Sequence, residues 1–168
     1  MEQKRLSWDE YFLKIAGIIS ERSTCPKRRI GAVLVRDKRI LATGHNGSLK
    51  GAPHCDDVGC LIRYVYDEKG NKHDKCMRTV HAELNALLQC AHHGVSTKNS
   101  VLYATFEPCD ACTKALINAG IKRIVVSKTY EDEYGEASRA ELTRKWLGEA
   151  GISFEKVALS EEGNSQRK

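Results

Sequence analysis

Four residues of this chain are suited to metal-assisted chemistry by type and spacing: His81, Glu83, Cys109 and Cys112. On a helix a separation of three residues turns about 300°, so Cys109 and Cys112 project from nearly one face and can share one ion. In the first turn of a helix both sulfurs sit near the positive end of the macrodipole, which favours the metal-binding thiolate. His81 opens a helix of its own, so three ligands converge where two helix N-termini meet. Three protein ligands leave a fourth tetrahedral position for water, the pattern of a catalytic rather than a structural zinc. Glu83 lies two residues past His81, an offset that inside a helix would point it about 200° away. At a helix start, where the chain still arrives from a loop, both side chains can face the ion. Zinc with two thiolates and a neutral imidazole carries no net charge, so its water is less acidified than at an all-histidine site, and a neighbouring carboxylate base is required. Glu83 is that base. A redox-active or purely structural Cys-x-x-Cys would leave His81 and Glu83 without a purpose.

Elements able to position these residues follow from periodicity. Ser7 to Arg22 carries apolar residues at Trp8, Tyr11, Phe12, Ile15, Ile18 and Ile19, with Ser7 as cap and Glu10 three residues on, which predicts a helix. Ile30–Val35 and Arg39–Thr43 flank the polar Arg36-Asp37-Lys38 and predict a hairpin. From Gly44 to Lys75 periodicity disappears, and a structureless stretch of that length needs something to organise it. Helices are predicted at His81–His92, Cys109–Ala119 and Ser138–Ala150, stopped by Gly94, Gly120 and Gly151. Strands are predicted at Ser100–Thr105, Lys122–Ser127 and Ile152–Val157. This alternation reads as an α/β fold with a parallel half: one domain over residues 1–158, then a polar tail at 159–168.

The 168 residues suit one domain, and 41% hydrophobic with 29% charged residues exclude a disordered or collagen-like chain. Apolar runs such as Ala32–Val35 are far shorter than the roughly 18 residues a membrane span needs, and Met1–Lys14 lacks the apolar region of a secretory signal, so a cytoplasmic protein is expected. Net charge is +5, from 27 basic and 22 acidic residues, with no long basic run, so nucleic acid is not an expected partner. Seven cysteines cannot all pair internally, and clustered with histidines in a reducing compartment they point to metal.

His81-Ala82-Glu83 followed by Pro108-Cys109-Asp110-Ala111-Cys112 resembles the zinc-dependent cytidine and deoxycytidylate deaminase superfamily. Gly44-His45-Asn46-Gly47, His54-Cys55-Asp56-Asp57, the approach from Cys76 to His81, and Ser127-Lys128-Thr129-Tyr130 are similar to the deoxycytidylate branch found in bacteria and phages. The resemblance runs from about Ser7 to Val157. It implies a three-layer α/β/α sandwich around a five-stranded mixed sheet, and hydrolytic conversion of dCMP to dUMP and ammonia, which supplies dTMP synthesis. It also implies a homo-oligomer such as a hexamer, activation by dCTP with Mg2+, and inhibition by dTTP. Glu83 would shuttle protons from water to N3 of cytosine and then to the departing amine. Backbone N–H groups at Ala82 could bind the base carbonyl. By resemblance Tyr130 stacks on the pyrimidine and Asn46 reaches the sugar of a substrate or effector nucleotide. Where the family has tyrosine, this chain has His45. Lys27, Arg28, Arg29 and Arg78 are the candidate phosphate cations.

Some deoxycytidylate deaminases hold a second, structural zinc at positions matching Cys25 and Cys55. Cys60 and Cys76 could complete a four-thiolate site, with His54 and His73 as competing ligands and four reduced, packed thiols as the alternative. Cys90 reads as core. Competing functions are another deaminase of the superfamily (free nucleoside, guanine, pterin precursor or tRNA adenosine), a non-catalytic zinc-stabilised nucleic-acid-binding module, and a disulfide oxidoreductase. Glu83 argues against the binding module, and His81 against the oxidoreductase.

Overall fold

A hydrogen-bonded helix start sets the first element. Ser7 Oγ accepts the Glu10 N–H at 3.2 Å and Glu10 Oε2 accepts the Ser7 N–H at 2.8 Å, a capping box that opens α1 (Trp8–Ser20). The computed structural model describes residues 5–66, 70–135 and 138–159, so all but the first residue of the tail expected at 159–168 lies outside the described residues. The β1 (Gly31–Arg36) and β2 (Arg39–His45) strands form the expected hairpin, turned through Asp37 and Lys38, both at positive φ (50° and 61°). The remaining strands of the main sheet are β7 (Val101–Ala104), β8 (Arg123–Val126) and β9 (Ser153–Lys156). Its order is β2-β1-β7-β8-β9, with β1 antiparallel to both neighbours and β7, β8 and β9 parallel. The sheet is therefore five-stranded and mixed, as the resemblance implied.

Alternation along the central strands divides the core. Val33, Val35, Tyr103 and Val125 face α1 and pack on Phe12, Leu13 and Ala16. Ala32, Leu34, Leu102, Ala104, Ile124 and Val126 face the other way, onto α3 (Ala82–His92), α4 (Asp110–Asn118) and α6 (Ser138–Glu149). Strands covered on both faces have no polar side, which explains their near-continuous apolar sequence. Cys90 is part of this second core, 1% exposed. Asp9 of α1 is tied to the sheet by Tyr103 Oη at 2.8 Å and by Arg123 Nη2 and Nη1 at 2.8 and 2.9 Å.

Among its described residues, the stretch without periodicity contains four short elements. These are β3 (Gly47–Ser48), α2 (Cys55–Val58), and a hairpin of β4 (Ile62–Tyr66) with β5 (Lys72–Cys76). Two residues, β6 (Thr79–Val80), pair with β3 and deliver the chain to α3. A last short helix, α5 (Tyr130–Tyr134), follows β8.

Candidate active site

His81 is the N-cap of α3 and Cys109 the N-cap of α4, each in extended backbone (ψ 153° and 172°), one residue earlier than helical positions would be. That lets His81 and Glu83 face one point despite their offset. His81 Nδ1 lies 3.4 Å from Cys109 Sγ and 3.5 Å from Cys112 Sγ, and the three donor atoms fall within 4.8 Å of one another. Tetrahedral zinc with Zn–S near 2.3 Å and Zn–N near 2.0 Å would hold sulfur and nitrogen about 3.5 Å apart. The donor set therefore fits zinc in both chemistry and spacing. Cys112 is buried and His81 stands at the rim.

Glu83 is 4% exposed, and burial, the largest influence, pushes its carboxyl up to about 7. A hydrogen bond from the Cys112 thiol pulls Cys109 below the usual thiol range, and His81 adds to the effect. The same contact with Cys109 holds His81 above its ordinary value. A thiolate beside a poised carboxyl is the state a metal-dependent hydrolytic site requires.

A cavity of about 660 Å³ opens over these groups. Its walls include Ala82, Arg28, Phe106, Tyr130 and Asn46, and the β4–β5 hairpin contributes Val65, His73, Asp74 and Lys75. Tyr130 meets Phe106 edge-on at 5.1 Å. Arg28 lies over the Phe106 ring at 4.4 Å, with Nη2 donating to Tyr134 Oη at 2.7 Å and Glu133 at 3.0 Å. Asn46 is 5% exposed and holds the loop before β1: its Oδ1 accepts from Ser23 Oγ at 2.6 Å and Ile30 N at 2.8 Å, and its Nδ2 donates to Arg28 O at 2.7 Å. One amide hydrogen remains beyond these bonds. Arg29 is exposed and Arg78 half-buried, with its Nε lacking a hydrogen-bond partner among the described residues; neither lines the cavity. Lys27 instead pairs with Asp74 at 3.6 Å. Lys75 is a cavity cation absent from the sequence reading, and His73, read there as a competing zinc ligand, lines the cavity beside it; nothing in the run Lys72–Cys76 marks it as a strand.

A second cluster joins the sulfurs of Cys55, Cys60 and Cys76 within 4.8 Å, with Cys55 and Cys76 3.7 Å apart. Two thiolates on one tetrahedral zinc would stand about 3.8 Å apart. Cys25 is outside this group of three but close enough to help raise Cys60, whose thiol burial pushes up to about 11. His54 and His73 do not join it. All seven cysteines are free of disulfides.

With this geometry in place, residues 6–128 match the cytidine and deoxycytidylate deaminase zinc-binding region. The chain belongs to that family. Among relatives of this deaminase, "ComE operon protein 2" of Bacillus subtilis (strain 168) is 39% identical over 94% of the chain and 75% of the Bacillus protein. The deoxycytidylate deaminase of Mycobacterium phage D29 is 39% identical over 74% of the chain and 97% of the phage enzyme. The chain spans less than half of the two yeast deoxycytidylate deaminases it also matches. The solved dCMP deaminase of cyanophage S-TIM5, in complex with dCMP and dUMP, superposes with a TM-score of 0.69 at 27% identity, over 92% of this chain and all of that one. No described helix is long and apolar enough to cross a membrane.

Proposed function

We propose that this deaminase hydrolyses dCMP to dUMP and ammonia. The observation that carries the reading is the buried Glu83 carboxyl beside the His81, Cys109 and Cys112 donors, in a cavity walled by Tyr130 and by Arg28, Lys75 and His73. Zinc held by the three donors would supply Lewis acidity, making a water more acidic. Glu83, buried and poised near neutrality, takes a proton and delivers it to N3 of cytosine, which makes C4 electrophilic. The water oxygen adds to C4, Glu83 then takes the remaining proton of that hydroxyl and hands it to the amine, and the C4–N bond breaks as the C4 carbonyl forms, releasing ammonia. The N–H groups at the start of α3, Ala82 among them, orient the base carbonyl, and Tyr130 covers the ring. Arg28 and Lys75 are the cavity cations suited to a 5′-phosphate. Arg29 and Arg78 do not line the cavity.

The thiol cluster of Cys55, Cys60 and Cys76, with Cys25 nearby, suits a second, structural zinc. Family resemblance extends the proposal to a cytoplasmic homo-oligomer, a single domain over residues 1–158, and regulation by dCTP and dTTP. Both thiol-rich clusters are poor matches for Mg2+, which takes oxygen ligands, so Mg2+ would enter with the triphosphate. The test is ammonia release from dCMP, deoxycytidine, CMP and tRNA supplied separately, with dCTP–Mg2+ and dTTP as added arms. Preferred turnover of dCMP is expected; preference for deoxycytidine would refute the phosphate assignment.

A further inference from the structure

Glu107 is a buried carboxylate that the reaction above does not use. Its side chain is 2% exposed. Its Oε1 accepts from Arg144 Nε at 2.7 Å, and its Oε2 accepts from Arg144 Nη2 at 2.8 Å and from the Tyr130 backbone N–H at 3.1 Å. Its own N–H donates to Lys128 O at 3.0 Å, so main chain and side chain together hook the segment that carries Tyr130. Arg144 of α6 also grips Glu131, the next residue after Tyr130, through Nη1 at 2.5 Å and Nη2 at 2.7 Å. One guanidinium thus bridges the residue two before Cys109 and the residue one after Tyr130.

An ion pair is a poor device for stability alone, because desolvation of a buried partner, here Glu107, roughly offsets attraction, and solvent screens an exposed one, here Arg144 at 32% exposure. What such a pair does well is fix geometry, since a bidentate fork tolerates one arrangement. Here that geometry relates the start of the metal-binding helix α4 to the ring that faces the cavity. We infer that Glu107 and Arg144 are positioning residues that hold Tyr130 at a set distance from the Cys109–Cys112 site and thereby set how tightly the pyrimidine binds. The inference rests on the proposed reaction and on Tyr130 covering the base.

The test is steady-state kinetics with dCMP on the zinc-loaded protein, with zinc content measured for every variant. Glu107→Ala is expected to raise KM about tenfold or more, the scale of a lost aromatic–base stack, with kcat changed by less than about threefold and zinc content unchanged. Arg144→Met should do the same, while Arg144→Lys, which keeps the charge and loses the fork, should fall between. In a Tyr130→Ala background, Glu107→Ala should change KM by less than about twofold, because its route of action is gone. Additive effects in that double variant, loss of zinc from Glu107→Ala, or failure of both Glu107→Ala and Arg144→Met to fold would each overturn the inference, the last by making the clamp a stability element. Wild-type protein that leaves dCMP intact overturns the proposed reaction and this inference with it. Wild-type protein that deaminates dCMP while Glu107→Ala keeps the wild-type KM overturns this inference alone.

Discussion

Gly44 lies on β2 directly against the first turn of α3. A Cβ added there would come 2.1 Å from Ala82 O and 2.6 Å from Ala86 N, short of ordinary 3.4 Å contact by 1.3 Å (3.4 less 2.1) and 0.8 Å (3.4 less 2.6). Both obstacles are backbone, so no rotamer change relieves them and α3 must shift as a body. Overpacking usually costs about 1–3 kcal/mol, and a clash between two backbones belongs at or beyond the upper end, about 3 kcal/mol. For a chain of this size that corresponds to a melting temperature roughly 6–12 °C lower. Because His81 caps α3 and Glu83 sits in its first turn, a displacement near 1 Å should also cost on the order of 10²-fold in turnover. Gly17, within α1, is the control: an added Cβ meets nothing within 4 Å, and Gly17→Ala should gain about 0.5–1 kcal/mol with activity intact. The assay is thermal unfolding followed by circular dichroism, paired with ammonia release. A Gly44→Ala protein that melts within about 2 °C of wild type and turns over normally would refute the argument that close approach of β2 places the site.

Glu83→Gln should keep its zinc and lose about 10²–10⁴-fold in kcat, measured by ammonia release; a wild-type rate would show that another group moves the proton. Purified protein should carry two zinc ions per chain by mass spectrometry, with about one left in His81→Ala and about one in Cys55→Ser. Arg144 holds the Glu131 carboxyl down to about 2, and Lys156 does the same for Asp132. A carboxyl lowered in the folded state stabilises above its unfolded pKa and loses that contribution as pH falls through the folded value. The stabilisation from these two carboxyls should therefore be complete above about pH 4.5 and be lost toward pH 2, so the urea midpoint should decline across that range, less steeply in Arg144→Met; an equal slope in the variant would contradict the assignment.

How much of this was legible in sequence depended on burial. The α1, α3, α4 and α6 helices and the β1, β7 and β8 strands announce themselves because a helix with one apolar stripe, or a strand covered on both faces, must show it in residue type, whereas the edge strands β2 and β9 are partly exposed and show only part of that pattern. Arg39–His45 and Ser153–Lys156 came within one or two residues at each end, the usual fraying of boundaries. The β4–β5 hairpin did not announce itself: Tyr64 and Tyr66 are exposed, and Lys72-His73-Asp74-Lys75-Cys76 has no apolar alternation to read. The α2 and α5 helices are too short for a period. At the site, the His-x-Glu and Cys-x-x-Cys spacings are local and therefore visible. Asn46, read as a nucleotide contact, lines the cavity and also makes three hydrogen bonds to the loop before β1, which no local pattern announces. The Glu107–Arg144 clamp joins residues 37 apart, and no local pattern reports such a pair.

The β4–β5 hairpin forms a sheet of its own, yet supplies a wall of the cavity. Apart from Cys76, which belongs to the second thiol cluster, drift in its sequence disturbs no ladder of the five-stranded sheet. Substitutions there can retune which nucleotides are admitted while the bond-breaking apparatus stays as it is, so selectivity and reactivity are free to evolve along separate tracks.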